Sequence, residues 1–354
     1  MKQFIKIVSL FILIAGSVQA QQPGSTRQRG GFSRSNQSSP KSQLADSLLT
    51  DSARLKAKRI TGYKLTDKIG DVYIAPMDTD KINFYNSTQV EGYSVALGYV
   101  GNLGSPVQSK IFSERKEERD FIFADTYDYY LTTPTNAYFY DTKVPYTNLM
   151  YTSAGGSVNK EERLKGILTT NFGKKVNVGA EMDYIYGRGY YNSNGTKLLS
   201  YRLFGNYISD KYQMYTYLGN SNFINFENGG LTNDRYITNP EDYSDGKRVT
   251  ESKYIPVHFS ETWNRVRGKQ FFLSHRYNLG FNRTTQEKDK EGNVKEEFVP
   301  VSSIIHTLEY KDNRRRFITH DSLGVDSCYV NNYLDGSVND TTSYWSIKNT
   351  LARS

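Results

Sequence analysis

From about residue 160 the chain alternates apolar and polar positions with a period of two. Val176, Val178, Ala180, Met182, Tyr184 and Tyr186 fall on one side, and Asn177, Gly179, Glu181, Asp183 and Ile185 on the other. Successive side chains of a strand point to opposite faces, so this run predicts a strand with one apolar or aromatic face and one largely polar face. Leu164, Gly166, Leu168, Thr170 and Phe172 alternate in the same way with Lys165, Ile167, Thr169 and Asn171. Leu199, Tyr201, Leu203 and Tyr207 oppose Ser200, Arg202 and Asn206, and Phe271, Leu273, Tyr277, Leu279 and Phe281 oppose Ser274, Arg276 and Asn278. Further strands are predicted at 212–218, 254–266, 301–311, 314–320 and 343–353, with less regular ones at 93–100, 121–130, 137–141 and 146–152. The strand at 176–186 has the length of a tilted membrane strand, about 9–11 residues, rather than the five or six of most globular strands.

The connections add a side to this pattern. Gly173-Lys174-Lys175, Ser209-Asp210-Lys211, Arg267-Gly268-Lys269 and Lys311-Asp312-Asn313 predict tight polar turns. They alternate with long polar stretches at 187–198, 219–253, 282–300 and 321–342. Short turns on the periplasmic side and large loops outside are what an outer-membrane barrel requires. A soluble sandwich has no reason to sort its loops by side.

The beginning of the chain predicts export. Lys2 and Lys6 precede an apolar run from Ile7 to Ala15, and Val18-Gln19-Ala20 offers a cleavage site, with Gln21 as the mature start. The run is far short of the roughly 20 residues that a membrane-spanning helix needs. Residues 21–43 are rich in Gln, Ser, Arg, Gly and Asn and hold little that could be buried, so they read as a flexible tail. A short amphipathic helix with Leu44, Leu48 and Leu55 on one side is an option over 43–60, with a plain spacer as the favoured reading.

Composition changes this picture only in part. The mean hydropathy of −0.64 suggests a soluble chain, but alternating strands hide their apolar face in such an average. The 29 tyrosines suit surfaces where apolar and wet regions meet, in barrel girdles and in carbohydrate-binding sandwiches alike. The net charge of +8 would suggest nucleic acid if it lay on the main body. Lys2 and Lys6 supply two of it, and eight cations against Asp46 and Asp51 within 21–60 supply the other six. The rest of the chain is neutral, so no nucleic-acid partner is expected.

Catalytic chemistry is sparse. His258, His275, His306 and His320 show no metal-binding spacing, and a GxSxG elbow is absent. The single Cys328 rules out an intrachain disulfide. Gly187-Arg188-Gly189 resembles part of a phosphate loop but lacks a following helix, and reads as the start of an external loop. No catalytic residue, metal or cofactor is expected. What remains is the polar strand face: Lys165, Asn171, Asn177, Glu181, Asp183, Arg202, Asn206, Arg276 and Asn278 are the candidate lumen-facing residues, lining a wet, weakly selective channel or merely filling it.

Several ordered segments resemble one family. Tyr99-Val100-Gly101-Asn102-Leu103-Gly104-Ser105-Pro106, Tyr146-Thr147-Asn148-Leu149, Glu162-Arg163-Leu164-Lys165-Gly166 and Asp183-Tyr184-Ile185-Tyr186-Gly187-Arg188-Gly189 are similar to the putative porin family of Bacteroidales-type Gram-negative bacteria. So are the stretch from Asn228 to Thr238, His275-Arg276-Tyr277-Asn278-Leu279-Gly280 and Asn313-Arg314-Arg315-Arg316. The resemblance implies a signal peptide, an outer-membrane barrel and passive transport, and brings no catalytic or binding residues with it. Members run longer, and a barrel usually finishes on a strand with a terminal aromatic, whereas Leu351-Ala352-Arg353-Ser354 does not. A fragment is therefore expected, with its remaining strands encoded downstream.

The resulting expectation is an all-β protein, an antiparallel transmembrane β-barrel that is incomplete as given. Its segments are a signal peptide at 1–20, a flexible basic periplasmic tail at 21–80 and the N-terminal portion of the barrel at 81–354. The expected function is a porin-like channel for passive diffusion of small solutes, and not an enzyme. The alternatives are an exported carbohydrate-binding or adhesin-like β protein and, behind it, a barrel-embedded hydrolase. Expected partners are outer-membrane lipid, small solutes in the lumen and the barrel-assembly machinery, with homo-oligomerisation open.

Overall fold

The computed structural model describes residues 60–66, 71–75, 77, 96–99, 101–115, 121–156, 159–243, 251–288, 294–321 and 343–353. The leader, the tail up to position 59 and with it all but the last residue of the optional 43–60 helix lie outside the described residues, as does Cys328.

Eight strands follow one another as an antiparallel meander. They are β6 (Tyr146–Ala154), β7 (Glu161–Phe172), β8 (Val176–Gly187), β9 (Thr196–Ile208), β10 (Tyr212–Glu227), β11 (Thr262–Lys288), β12 (Val294–Thr319) and β13 (Ser343–Arg353). Each pairs with its neighbours in sequence, and β6 and β13 form the two edges, so the sheet is open. The turns at 173–175 and 209–211 fall where the pattern puts them. Gly173 takes φ 70°, a conformation that favours glycine, and the Ser209 N–H donates to the Tyr212 carbonyl at 2.9 Å.

The other two expected turns are corrected. Arg267, Gly268 and Lys269 pair directly with Arg314, Asn313 and Asp312 in the middle of β11 and β12. These charged triplets look like turns because they interrupt the apolar rows, yet the ladder runs straight through them. Gly268 serves close packing, since a Cβ there would meet Ser221 Oγ at 2.8 Å and Asn313 Oδ1 at 2.9 Å. Two strands each are thereby merged into one: 301–311 and 314–320 both belong to β12, and β11 begins only at Thr262. The long loops expected at 219–253 and 282–300 are likewise partly strand, because β10 runs to Glu227 and β11 and β12 fill most of the second stretch.

The segment before β6 covers one face of this sheet. It holds β1 (Ile60–Leu65), β2 (Val72–Ala75) and β5 (Phe139–Thr142) as a three-stranded sheet in the order β2-β1-β5. It also holds the pair β3 (Leu97–Tyr99) and β4 (Val107–Ser109). The described residues thus begin at Ile60, inside the 21–80 span expected as tail. The stretch 121–130, expected as a strand, is a 3-10 helix at Ile122–Tyr130. Phe121, Ala124, Tyr127 and Tyr130 recur every third residue, which is the 3-10 repeat and places one aromatic row on one side. Phe121, Tyr127 and Tyr130 are buried in a cluster with Ile185, Leu198, Phe223 and Val266 of the meander. A second cluster joins Leu65, Ala137, Phe139 and Tyr140 to Phe204, Tyr215, Tyr217 and Phe272.

Candidate functional site: the polar face of the meander

Alternation along β7–β12 sends one set of side chains under the 60–142 segment and the other set outward. The covered set carries the polar candidates, lying between the two buried apolar clusters. Asn177 and Arg202 are 1% and 3% exposed, whereas the outward Val178, Leu203 and Leu218 are 46%, 56% and 56% exposed. This inverts the arrangement of a water-soluble domain, in which charges lie outside and aliphatics inside.

The covered polar residues satisfy one another and the segment above them. Arg163 grips Asp183 with two donors, Nε to Oδ1 at 3.0 Å and Nη2 to Oδ2 at 2.6 Å. Glu181 lies 2.5 Å from Arg202 Nη2 and 3.9 Å from Lys165 Nζ. Arg202 also donates to the Tyr138 carbonyl at 3.2 Å and stacks 4.7 Å from the Phe204 ring centre. Asn171 Oδ1 accepts from the Thr142 N–H at 3.1 Å and from Asn177 Nδ2 at 2.6 Å, while its Nδ2 donates to Asp141 at 2.5 Å. Thr169 Oγ1 donates to Asn177 Oδ1 at 2.8 Å. Arg276 pairs with Asp71, and Asn278 Nδ2 donates to the Asp210 carbonyl at 2.8 Å. Asn206 is buried beside this network, its Oδ1 without a hydrogen bond among the described residues.

All nine candidate residues thus stand on the covered face, and eight of them have polar partners there: Lys165, Asn171, Asn177, Glu181, Asp183, Arg202, Arg276 and Asn278. Several residues of this face were not among the candidates. Arg163 continues the alternation one step before Lys165 and was legible by extending it. Asp71 sits in the span expected as tail, and Asn102 sits in an irregular segment without periodicity. Asn102 Nδ2 donates to Thr196 Oγ1 at 3.3 Å and to the Asn194 carbonyl at 3.0 Å, and Thr196 Oγ1 donates to the Leu103 carbonyl at 2.6 Å. The Leu103 N–H donates to Glu161 at 2.8 Å. Gly187 is what admits this approach, because a Cβ there would stand 2.7 Å from the Leu103 carbonyl oxygen.

Outside this face, the long-loop end holds an open cleft of about 560 Å³ lined by Arg188, Tyr191, Asn192, Phe226, Lys253 and Tyr254 among others. His275 and His306, on either side of the long loop expected at 282–300, face each other across β11 and β12 with ring nitrogens 3.0 Å apart. No group of three His, Cys, Asp or Glu side chains suited to a metal occurs among the described residues. No helix among them is long and apolar enough to cross a membrane, which says nothing of strands.

The sequence profile of a family described as putative porins matches residues 59–354. The chain belongs to that family. The match begins within one residue of β1, so the family unit includes the covering segment as well as the meander. Membership carries porin-type function and an outer-membrane location at the level of the family. No curated protein and no solved structure matches the chain.

Proposed function

We propose that β6–β13 are an arc of the wall of an outer-membrane barrel in a Gram-negative bacterium, and that the barrel is a channel for passive diffusion of small solutes past a plug formed by residues 60–142. The observation that carries this reading is the inverted polarity of the meander. Val178, Leu203 and Leu218 are exposed while Arg202 and Asn177 are buried. In water such a face would be an adhesive patch, and against lipid it is the required outer wall. The tight turns at 173–175 and 209–211 then belong to the periplasmic side and the longer loops to the outside. Export through the N-terminal leader and insertion by the barrel-assembly machinery follow from the same reading, with lipid as the outer partner. No catalytic role is assigned.

The covered polar face makes the plug a specific one. Its side chains bind the 60–142 segment through Asn171, Arg202 and Arg276, so solutes pass beside this segment or after it shifts. Heat-modifiable migration in detergent tests the wall: a band that does not move on boiling overturns the barrel. Conductance steps in a planar bilayer test the channel, and a folded barrel that never conducts overturns it. The cleft at the loop end favours one second reading, sugar binding by outer loops, since Tyr191 and Tyr254 supply aromatic faces beside Arg188 and Asn192. Unchanged glycan binding after Tyr191→Ala and Tyr254→Ala would remove it.

A further inference from the structure

The outward face of β11 and β12 changes character along its length. From Phe271 to Phe281 the outward row of β11 is Phe271, Leu273, His275, Tyr277, Leu279 and Phe281, and on β12 Leu308 and Tyr310 stand opposite Leu273 and Phe271. Toward the long-loop end the same two rows become cationic. Arg265 pairs in register with Arg316, Arg267 with Arg314 and Lys269 with Asp312. The faces are fixed by their neighbours. Val266 and Phe223 pack inward with Tyr127, and Arg315 lies inward over the Phe123 ring at 4.7 Å. The even-numbered arginines of β12 and the odd-numbered ones of β11 therefore point the other way.

Five cations and one carboxylate on so small a surface are an unbalanced arrangement. Like charges directly opposite across two strands destabilise a sheet. The inward Arg315 has Asn264 as an acceptor at 3.0 Å, whereas Arg265 and Arg267 share one amide oxygen, Asn222 Oδ1, at 2.7 and 3.3 Å. Arg316 Nε is shielded from solvent without a hydrogen bond among the described residues. None of the four outward arginines is ion-paired to a carboxylate among the described residues.

The position relative to the apolar row indicates which anion is meant. Lys269, Arg267 and Arg265 stand two, four and six residues beyond Phe271. At about 3.4 Å per residue and a strand tilt of about 40°, that is roughly 5, 10 and 15 Å above the apolar edge. Headgroups begin at that edge, in layers on the order of 5–8 Å thick for simple lipids, so Lys269 lies within the layer and the arginines stand above it with stems long enough to extend back toward it.

We propose that Arg265, Arg267, Lys269, Arg314 and Arg316 form a clamp for the phosphomonoester headgroup of a membrane lipid on the outer side of the wall. Guanidinium forks from both strands meet the phosphate oxygens, with two parallel donors each. The clamp rests on the wall reading given above.

The test uses the full chain folded in zwitterionic detergent, with native mass spectrometry counting retained lipid. Phosphatidic acid is retained roughly tenfold more tightly than phosphatidylcholine, about 1.4 kcal/mol. Arg267→Gln with Arg314→Gln removes that preference and leaves heat-modifiable migration unchanged. Lys174→Gln with Lys175→Gln, at the tight-turn end, leaves the preference intact. A folded chain that retains both lipids equally overturns the clamp while the wall stands. So does a double arginine variant that behaves as wild type, or full displacement of the lipid by inorganic phosphate at equal concentration. Absence of heat-modifiable migration instead overturns the wall and the clamp together.

Discussion

At the scale of single residues, Arg163 and Asp183 show what the covered face demands. Their side chains are 10% and 16% exposed, and the guanidinium meets the carboxylate with two donors. Removing one partner strands a charge under the covering segment, which costs about 3–5 kcal/mol for a buried pair. Asp183→Ala should therefore lower the stability of the folded chain in micelles by about 3 kcal/mol, measured as the urea midpoint of tryptophan fluorescence. Arg163→Met with Asp183→Leu should lose less than either single change, because both charges leave together. Greater loss in the double variant would show that the pair is not the unit. These residues were legible where alternation is strict, as at Lys165, Glu181 and Asp183. Asp71 and Asn102 were not, because they reach the network from irregular backbone, where neither spacing nor polarity says which face they meet.

Among the elements, the 60–142 segment is the part the sequence conceals. Its strands are three to six residues long and its central helix has a three-residue repeat, so periodicity windows of eleven or more residues dilute both. Phe139 is its anchor. The ring is fully buried, 5.2 Å from Tyr215 and 6.5 Å from both Phe204 and Tyr217. Phe139→Ala should weaken docking by about 3–5 kcal/mol and raise single-channel conductance, while the boiled and unboiled bands still differ. Conductance equal to wild type would mean the segment does not obstruct the path. Burial also pushes the phenol of Tyr130 up to about 12, and those of Tyr127 and Tyr140 higher still. An undocked segment would ionise these groups near pH 10, so their contribution to docking is fully present below pH 10. It is lost as pH rises from there through the folded value. Absorbance at 295 nm should show a late phase above pH 11 in the docked protein that moves toward pH 10 in Phe139→Ala. A single step near pH 10 in the wild type would contradict the burial. The long strands β11 and β12 are hidden in the sequence for the opposite reason. Arg267-Gly268-Lys269 and Lys311-Asp312-Asn313 carry turn-like composition, but they meet in the ladder, Gly268 opposite Asn313 and Lys269 opposite Asp312, and only the register reveals it.

For the molecule as a whole, the inverted polarity sets what surrounds each face. The apolar rows drift along the strands from β8 to β12: Tyr184 of β8 is level by register with Leu199, Asn222, Arg267 and Arg314 in turn. A row that begins aromatic and ends cationic cannot lie at one depth in a membrane. Strands tilted by about 35–45° remove the conflict, because the register then climbs relative to the membrane plane and carries Arg267 and Arg314 out of the apolar layer. Depth is thus predicted by tilt and not by register, and it can be read directly. In a Cys328→Ser background, bimane attached at Leu203→Cys or Leu308→Cys should be quenched by lipids brominated on their chains. The same label at Arg314→Cys should be quenched far less, though its register partner Arg267 is level with Leu199 and Tyr184. Equal quenching at Arg314→Cys and at Leu199→Cys, which is level with it by register, would place the register row parallel to the membrane and rule out the tilt. Weak quenching at every outward position would rule out lipid contact itself, leaving the exposed aliphatic face to be covered by protein.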